Sequence, residues 1–246
     1  PIRTNSENPA FLEVKDGQLT HPKSGQYILT YGKAIELGYC RPIVFHRHEA
    51  NFDVLDDEGG PKLGEVSGSS SSASENVKGT QVEKMIHEST RFYSCCTALR
   101  PKPDGSPDMD GYQASMIEQG IQKLEERRLR LPQAGGLVIA PQIEHANYMA
   151  EIIKIKTGKK PLIVNTEEGS AESKARIKRF RRNLDDDWIV SVDMIGEGVD
   201  IQRLRVLVYL PRGRTDLRFR QAMGRIVRKF EGVDNDDSSA YVVMPA

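Results

Sequence analysis

Three donor-bearing side chains and one glycine stand at regular spacing near the end of this 246-residue chain: Gln221, Gly224, Arg225 and Arg228. On a helix, positions 221, 225 and 228 share one face. Two guanidinium groups and an amide, with no carboxylate among them, make a poor internal salt-bridge face and a good anion receptor. Gly224 costs a helix roughly 1 kcal/mol relative to Ala, so close approach of another backbone or of a phosphate would explain it. A second cluster lies upstream, in Gly196-Glu197-Gly198-Val199-Asp200-Ile201. Its two glycines allow a tight backbone path. Asp200 can accept hydrogen bonds from a ribose hydroxyl or orient a neighbouring arginine.

These clusters need elements to position them. From about residue 112 the pattern is regular. Residues 112–131 carry Met116, Ile117, Ile121 and Leu124 at helical spacing. Short apolar runs then alternate with helical segments. The strands are expected at 137–140, 162–164, 188–192, 206–210 and 241–244, and the helices at 143–157, 171–184 and 215–229. Continuous β-branched runs suit a parallel sheet covered on both faces, and the alternation implies right-handed crossovers. The expected fold is α/β, a doubly wound, mostly parallel sheet. Ligands of such sheets sit beyond the carboxyl ends of the strands, which is where both clusters fall. Thr215 or Asp216 is the expected N-cap of the last helix.

The first part of the chain is less regular. A short helix is expected from Gly32 to Leu37, ended by Gly38, and a strand in Arg41-Pro42-Ile43-Val44-Phe45. Gly68-Ser69-Ser70-Ser71-Ser72-Ala73-Ser74 cannot bury a core and is expected to lie in a flexible linker over 61–80. A further helix is expected over 81–99, before a breaker cluster at 101–111.

Composition narrows the classes. Lys+Arg and Asp+Glu both number 35, so no global basic field exists and any nucleic-acid contact is local. No apolar run is long enough for a transmembrane helix. The opening Pro1-Ile2-Arg3-Thr4-Asn5 lacks a signal-peptide core and an initiator Met, so a fragment or processed product is expected. Cys40, Cys95 and Cys96 have neither disulfide-framework nor zinc-motif spacing, and reduced cytoplasmic thiols are expected. His46 and His48 share one face of a strand but lack a third ligand, so no metal site is expected.

The residues resemble a family. Gln221-x-x-Gly224-Arg225-x-x-Arg228 resembles motif VI of superfamily 2 helicases. Gly196 to Ile201 resembles their motif V, and Val138-Ile139-Ala140 before Glu144-His145-Ala146 resembles their motif IV. The order and spacing match over 135–245, the C-terminal RecA-like lobe. The wording of motif V is closer to the DEAH-like and restriction-enzyme-like branches than to the DEAD-box branch. Pro1-Ile2-Arg3-Thr4 resembles the tail of a segment overlapping motif III, so residues 1–60 are expected to be the end of the first motor lobe and the crossing to the second. Residues 81–246 are then the C-terminal domain.

The resemblance implies a mechanism. ATP with Mg²⁺ lies between two lobes, and the first supplies the GxxxxGK[S/T] loop and an acidic box. Neither is in this sequence: Gly32-Lys33-Ala34 and Gly158-Lys159-Lys160 both lack the hydroxyl residue. The resemblance makes Arg225 and Arg228 arginine fingers, with Gln221 helping to position phosphates. Glu197, Gly198, Asp200 and Gly224 are the expected nucleotide-side residues. Many relatives carry a motif V threonine on the nucleic-acid backbone, where Val192 stands here. Either Ser191, with Met194 nearby, takes its place or the contact is lost. The basic run 174–182 is expected to be an ordinary solvated face opposite Ile177 and Phe180 rather than a phosphate track. The implied partners are nucleic acid, DNA in preference to RNA, and the N-terminal lobe in cis, with no membrane. The competing function is a RecA-like lobe that binds nucleic acid or protein without hydrolysis. An independent nucleotide-using enzyme ranks last, because no glycine-rich loop opens the sheet.

Overall fold

The computed structural model describes residues 13–15, 18–20, 30–55, 61–67, 90, 92–164, 170–192, 201–211, 215–229 and 239–246. The chain divides into two units, 1–40 and 41–246.

In the first unit, β1 (Glu13–Lys15) and β2 (Gln18–Thr20) pair antiparallel. Helix α1 (Tyr31–Glu36) starts at Thr30, whose hydroxyl accepts from the Lys33 amide at 3.2 Å. Gly38 follows at φ 75°, the left-handed turn that ends such a helix without a Cβ clash.

The second unit is built on a six-stranded, all-parallel sheet. Its strands are β3 (Ile43–His48), β6 (Gly135–Ala140), β7 (Leu162–Val164), β8 (Trp188–Val192), β9 (Leu204–Tyr209) and β10 (Ala240–Pro245). The order across the sheet is β3-β10-β9-β6-β8-β7. A separate antiparallel pair, β4 (Asn51–Leu55) with β5 (Pro61–Ser67), follows β3. The helices are α2 (Tyr112–Arg128), α3 (Ile143–Thr157), α4 (Ser170–Arg182) and α5 (Asp216–Ile226).

Burial explains why these runs are strands. Every residue of β6, β8 and β9 is buried, as central strands covered on both faces must be. One face is packed by α2 and α3: Met116, Ile117, Met149 and Ile153 meet Val138, Val190, Val206 and Val208 in one cluster. On the other face, Phe180 of α4 lies against Gly135 and Phe219 of α5 packs edge-on to Tyr209. The expected doubly wound α/β fold is what the chain forms.

Residues 43–48, read from sequence as part of an inter-lobe crossing, are the edge strand of this same sheet, paired with β10. Residues 61–67, read as linker, form β5. The rest of that linker and most of the helix expected over 81–99 lie outside the described residues, although 92–97 is helical. Helix α2 ends at Arg128, earlier than expected, because Pro132 disfavours helical geometry at Leu131.

Two glycines create the slot for the buried Trp188. A Cβ on Gly136 would stand 2.3 Å from the Trp188 ring, and one on Gly120 2.7 Å from Val208 and 3.2 Å from Trp188. At the amino edge of the sheet, buried Arg203 donates to the carbonyls of Gln133, Phe180, Asn183 and Asp186. Gly136→Ala should therefore cost roughly 1–3 kcal/mol by overpacking. Gly224→Ala, where a Cβ meets nothing within 4 Å, should not destabilise. Denaturant titration of the two variants checks this, and a Gly136→Ala chain as stable as the parent would refute the slot.

Candidate functional site

Strand β6 leads through α3 toward β7, whereas β9 leads through α5 toward β10 on the opposite side. The neighbours β6 and β9 thus flank a topological switch point, and the crevice beyond their carboxyl ends is where such sheets take ligands. The segments there are Pro141-Gln142, opening α3, and Leu210-Pro211 followed by Thr215, opening α5. Met194, Glu197, Gly198 and Asp200, expected beside them after β8, lie outside the described residues.

Helix α5 begins as the sequence implied. Thr215 is extended, and its hydroxyl accepts from the Arg218 amide at 3.3 Å. Ala222, Met223 and Ile226 are buried at 0%, 6% and 0% exposure, which fixes the inward face. Gln221 and Arg225, one turn apart, therefore share the outward face and are half-buried. The only carboxylate within the helix is Asp216, at its start.

Arg228 is not on the helix, which corrects the expected span to 229. The backbone of Arg41 donates to the Val227 carbonyl at 2.8 Å, and its guanidinium donates to the Arg228 carbonyl at 2.9 Å. The helix has already ended at Ile226, and the backbone beyond it is bound by Arg41. Arg228 is exposed and turns back to donate from Nε to the Gly224 carbonyl at 3.1 Å, placing a cation at the helix C-terminus. Gly224 has open space where its Cβ would be, so no group among the described residues explains it by close approach.

Ser191 also differs from its expected place. It is 1% exposed in β8, between Ile139 of β6 and Val164 of β7, and presents no surface to a nucleic-acid strand. In α4, Ile177 and Phe180 are buried as expected, and Arg176 pairs with Glu172 and Arg179 with Asp186.

Sequence reasoning missed the groups that hold the carboxyl edge. The Tyr93 hydroxyl donates to the Pro211 carbonyl, just beyond β9. The Tyr112 hydroxyl donates to the His48 carbonyl at 2.7 Å, at the end of β3, and burial raises its pKa so that it stays a neutral donor. His145, in the motif IV-like segment, is buried with Nε2 2.6 Å from the Thr97 carbonyl. Tyr93 lies in the helical stretch 92–97 and Tyr112 opens α2, but helical spacing does not say what a hydroxyl will meet, and only the fold brings these two to the strand ends.

His46 and His48 do share a face, with ring centroids 5.8 Å apart. Among the described residues no cluster of three His, Cys, Asp or Glu side chains could hold a metal. Burial, and then the neighbouring His46, lower the His48 pKa. The folded state therefore binds that proton less readily than the unfolded state. Stability present above about pH 6.5 should fall as pH drops below it. His48→Gln should flatten that fall in a Tm-against-pH series; an unchanged slope would discount the histidine. Arg41→Met keeps apolar bulk but removes both side-chain and charge contacts to residue 228. It should cost roughly 1–3 kcal/mol and speed amide exchange around 226–229, as read by hydrogen-exchange mass spectrometry.

Comparison with known proteins places this geometry. A family model described as the helicase conserved C-terminal domain matches residues 119–230, a span from within α2 past the end of α5. The uncharacterized protein Rv2917 of Mycobacterium tuberculosis is 30% identical over 231 residues, covering 93% of this chain and 34% of that protein. The chain thus spans about a third of the length of the curated relatives it matches first. Among solved structures, a fragment of a putative HsdR subunit of a type I restriction enzyme from Vibrio vulnificus aligns over 87% of this chain and 33% of its own. Its sequence identity is 15% and its TM-score 0.49. The C-terminal domain of a Sulfolobus solfataricus SWI2/SNF2 ATPase aligns over 70% and 66%, with 13% identity and a TM-score of 0.43. Residues 119–230, carried on this parallel sheet, are thus similar to the helicase conserved C-terminal domain family.

Proposed function

We propose that this chain is the second motor lobe of an ATP-driven nucleic-acid helicase or translocase of superfamily 2. The observation that carries the reading is the outward face of α5, where Gln221 and Arg225 stand one turn apart, with Arg228 just beyond the helix. That surface offers donors and no carboxylate after Asp216, which suits a polyphosphate. The match of residues 119–230 to the helicase conserved C-terminal domain supports the motor assignment.

The residues present fit one side of a nucleotide site and not the whole of it. No GxxxxGK[S/T] loop occurs in the sequence to cradle phosphates or hold Mg²⁺ through its hydroxyl. Bound ATP with Mg²⁺ supplies the transferable γ-phosphoryl group, and another lobe in cis would hold it. Arg225 and Arg228 would then neutralise charge on that group from this side, the role of arginine fingers. Gln221 would orient the phosphates, while Glu197, Gly198 and Asp200 would serve the ribose side. Arg41 acts as a positioning residue by fixing the backbone of Arg228. Most of the length of the Mycobacterium relative lies outside the match, which leaves room there for a first lobe.

Nucleic acid is the substrate class in this reading, with DNA favoured over RNA by the wording of motif V. Met194 remains a candidate backbone contact; Ser191, being enclosed, does not. Among the described residues no helix is long and apolar enough to cross a membrane, and the described cysteines are free thiols. A cytoplasmic location belongs to the same proposal.

Two measurements test it. The isolated chain should show negligible ATP hydrolysis with or without DNA, and robust turnover from it would sink the two-lobe reading. In a full-length protein carrying this lobe, Arg225→Ala should lower kcat on the order of 10³-fold while nucleotide affinity changes little. Unchanged turnover would remove the finger assignment and favour a lobe that binds without hydrolysis.

A further inference from the structure

The order across the parallel sheet gives β3 one neighbour, β10. The Ala240 amide donates to the Pro42 carbonyl, and the Ala246 amide to the His48 carbonyl. Backbone groups alternate sides along a strand, so the even-numbered residues of β3 face β10. Ile43, Phe45 and Arg47 turn their N–H and C=O groups to the outer edge. Among the described residues no strand pairs with that edge.

The edge has few of the features that keep strands apart. Its register with β10 runs from Ile43 to His48 without a bulge. No proline interrupts it, and Arg47 is its one permanent charge. Val44 and Phe45 are 39% and 47% exposed, on opposite faces of the strand. Phe45 stacks on Phe219 of α5 with centroids 6.0 Å apart, which holds its ring on the α5 side of the sheet.

We propose that β3 pairs with β3 of a second copy of this chain, antiparallel, about a two-fold axis at Phe45. Such an interface is isologous and closes on itself. Centred there, all three outward residues are used. Phe45 meets Phe45 and Ile43 meets Arg47, each pair exchanging both of its backbone hydrogen bonds. The central pair is aromatic on aromatic, a favoured cross-strand combination. Arg47 stands opposite Ile43 and Val44 opposite His46, so no like charges are directly opposed. The edge thus complements itself in charge and register, which is why a second copy and not a foreign strand is its occupant. The axis keeps α5 of both copies on one face of the joined sheet and points the two carboxyl edges in opposite directions. The donor surfaces at Gln221 and Arg225 stay clear of each other, and the pairing does not depend on what they bind.

Sedimentation equilibrium on the chain tests this. The parent should shift reversibly with concentration toward twice its 27.6 kDa mass. Phe45→Lys sets two like charges at the centre and should weaken association on the order of ten-fold. Phe45→Glu should do the same. Mixed, these two variants should associate again, because position 45 faces itself. Arg47→Pro removes an outward N–H and none of the ladder to β10, and should weaken association roughly five-fold. Circular dichroism checks that each variant folds; where a charged one does not, Arg47→Pro decides alone. A parent chain that stays monomeric overturns the inference, whether its edge is unused or takes a foreign strand. Association that neither Phe45→Lys nor Arg47→Pro weakens overturns it, because the contact then lies elsewhere. So does failure of the folded Lys and Glu variants to associate when mixed.

Discussion

Arg203 sits where three stretches of chain converge, and its guanidinium is the donor that satisfies all of them. It donates to Gln133 before β6, to Phe180 and Asn183 at the end of α4, and to Asp186 before β8, at 2.7 to 2.8 Å. It also lies over the Phe180 ring at 4.4 Å. Each of those carbonyls would otherwise be buried or half-buried at a helix end or strand entry, where no ladder partner exists. Burial pushes the guanidinium down to about 10, which leaves it charged at neutral pH. Gly135 makes the arrangement possible, because a Cβ there would meet Phe180 at 2.9 Å and Arg203 Nε at 3.2 Å. Nearby, Asp187 accepts from both Arg128 and Lys159. The amino edge of the sheet is thus closed by side chain to backbone bonds, and the carboxyl edge is left to be shaped by loops and ligands.

This division of labour explains why the carboxyl edge is held more lightly, by single hydroxyls. Tyr93 secures the exit of β9 and Tyr112 the exit of β3, each through one carbonyl. Arg41 does the same for the exit of α5, with one backbone and one side-chain donor. None of these groups reacts with anything in the proposed function. They set where the chain leaves each element, and so where Gln221, Arg225 and Arg228 are presented.

Much of the sheet was legible because its information is local. Continuous apolar runs such as Trp188 to Val192 can be little else than buried strands, and α3 has the span that its pattern implied. The errors fall where a distant residue decides. The spacing of Gln221, Arg225 and Arg228 reads as one helical face, yet the helix ends at Ile226 and the backbone of residues 227 and 228 bonds to Arg41 instead. Nothing around Arg41, an ordinary cation before a proline, announces that partner. The edge strand β3 was visible as a strand, but its half-exposed residues gave no sign of which sheet it joins. Tyr209 reads as one more β-former in a run of valines and leucines; that its hydroxyl lacks a partner is a property of the packed structure alone.

The pairing of β3 with β10 also has a consequence for the order of assembly. β10 lies between β3 and β9, yet it is the last of the sheet's strands to leave a ribosome. Until it is made, β3 has no neighbour to pair with in this sheet, and β9 carries an unpaired edge beside α5. Such non-local pairing is slow to form and exposes edges meanwhile. The order of synthesis thus keeps the two halves of this edge apart until one late strand joins them.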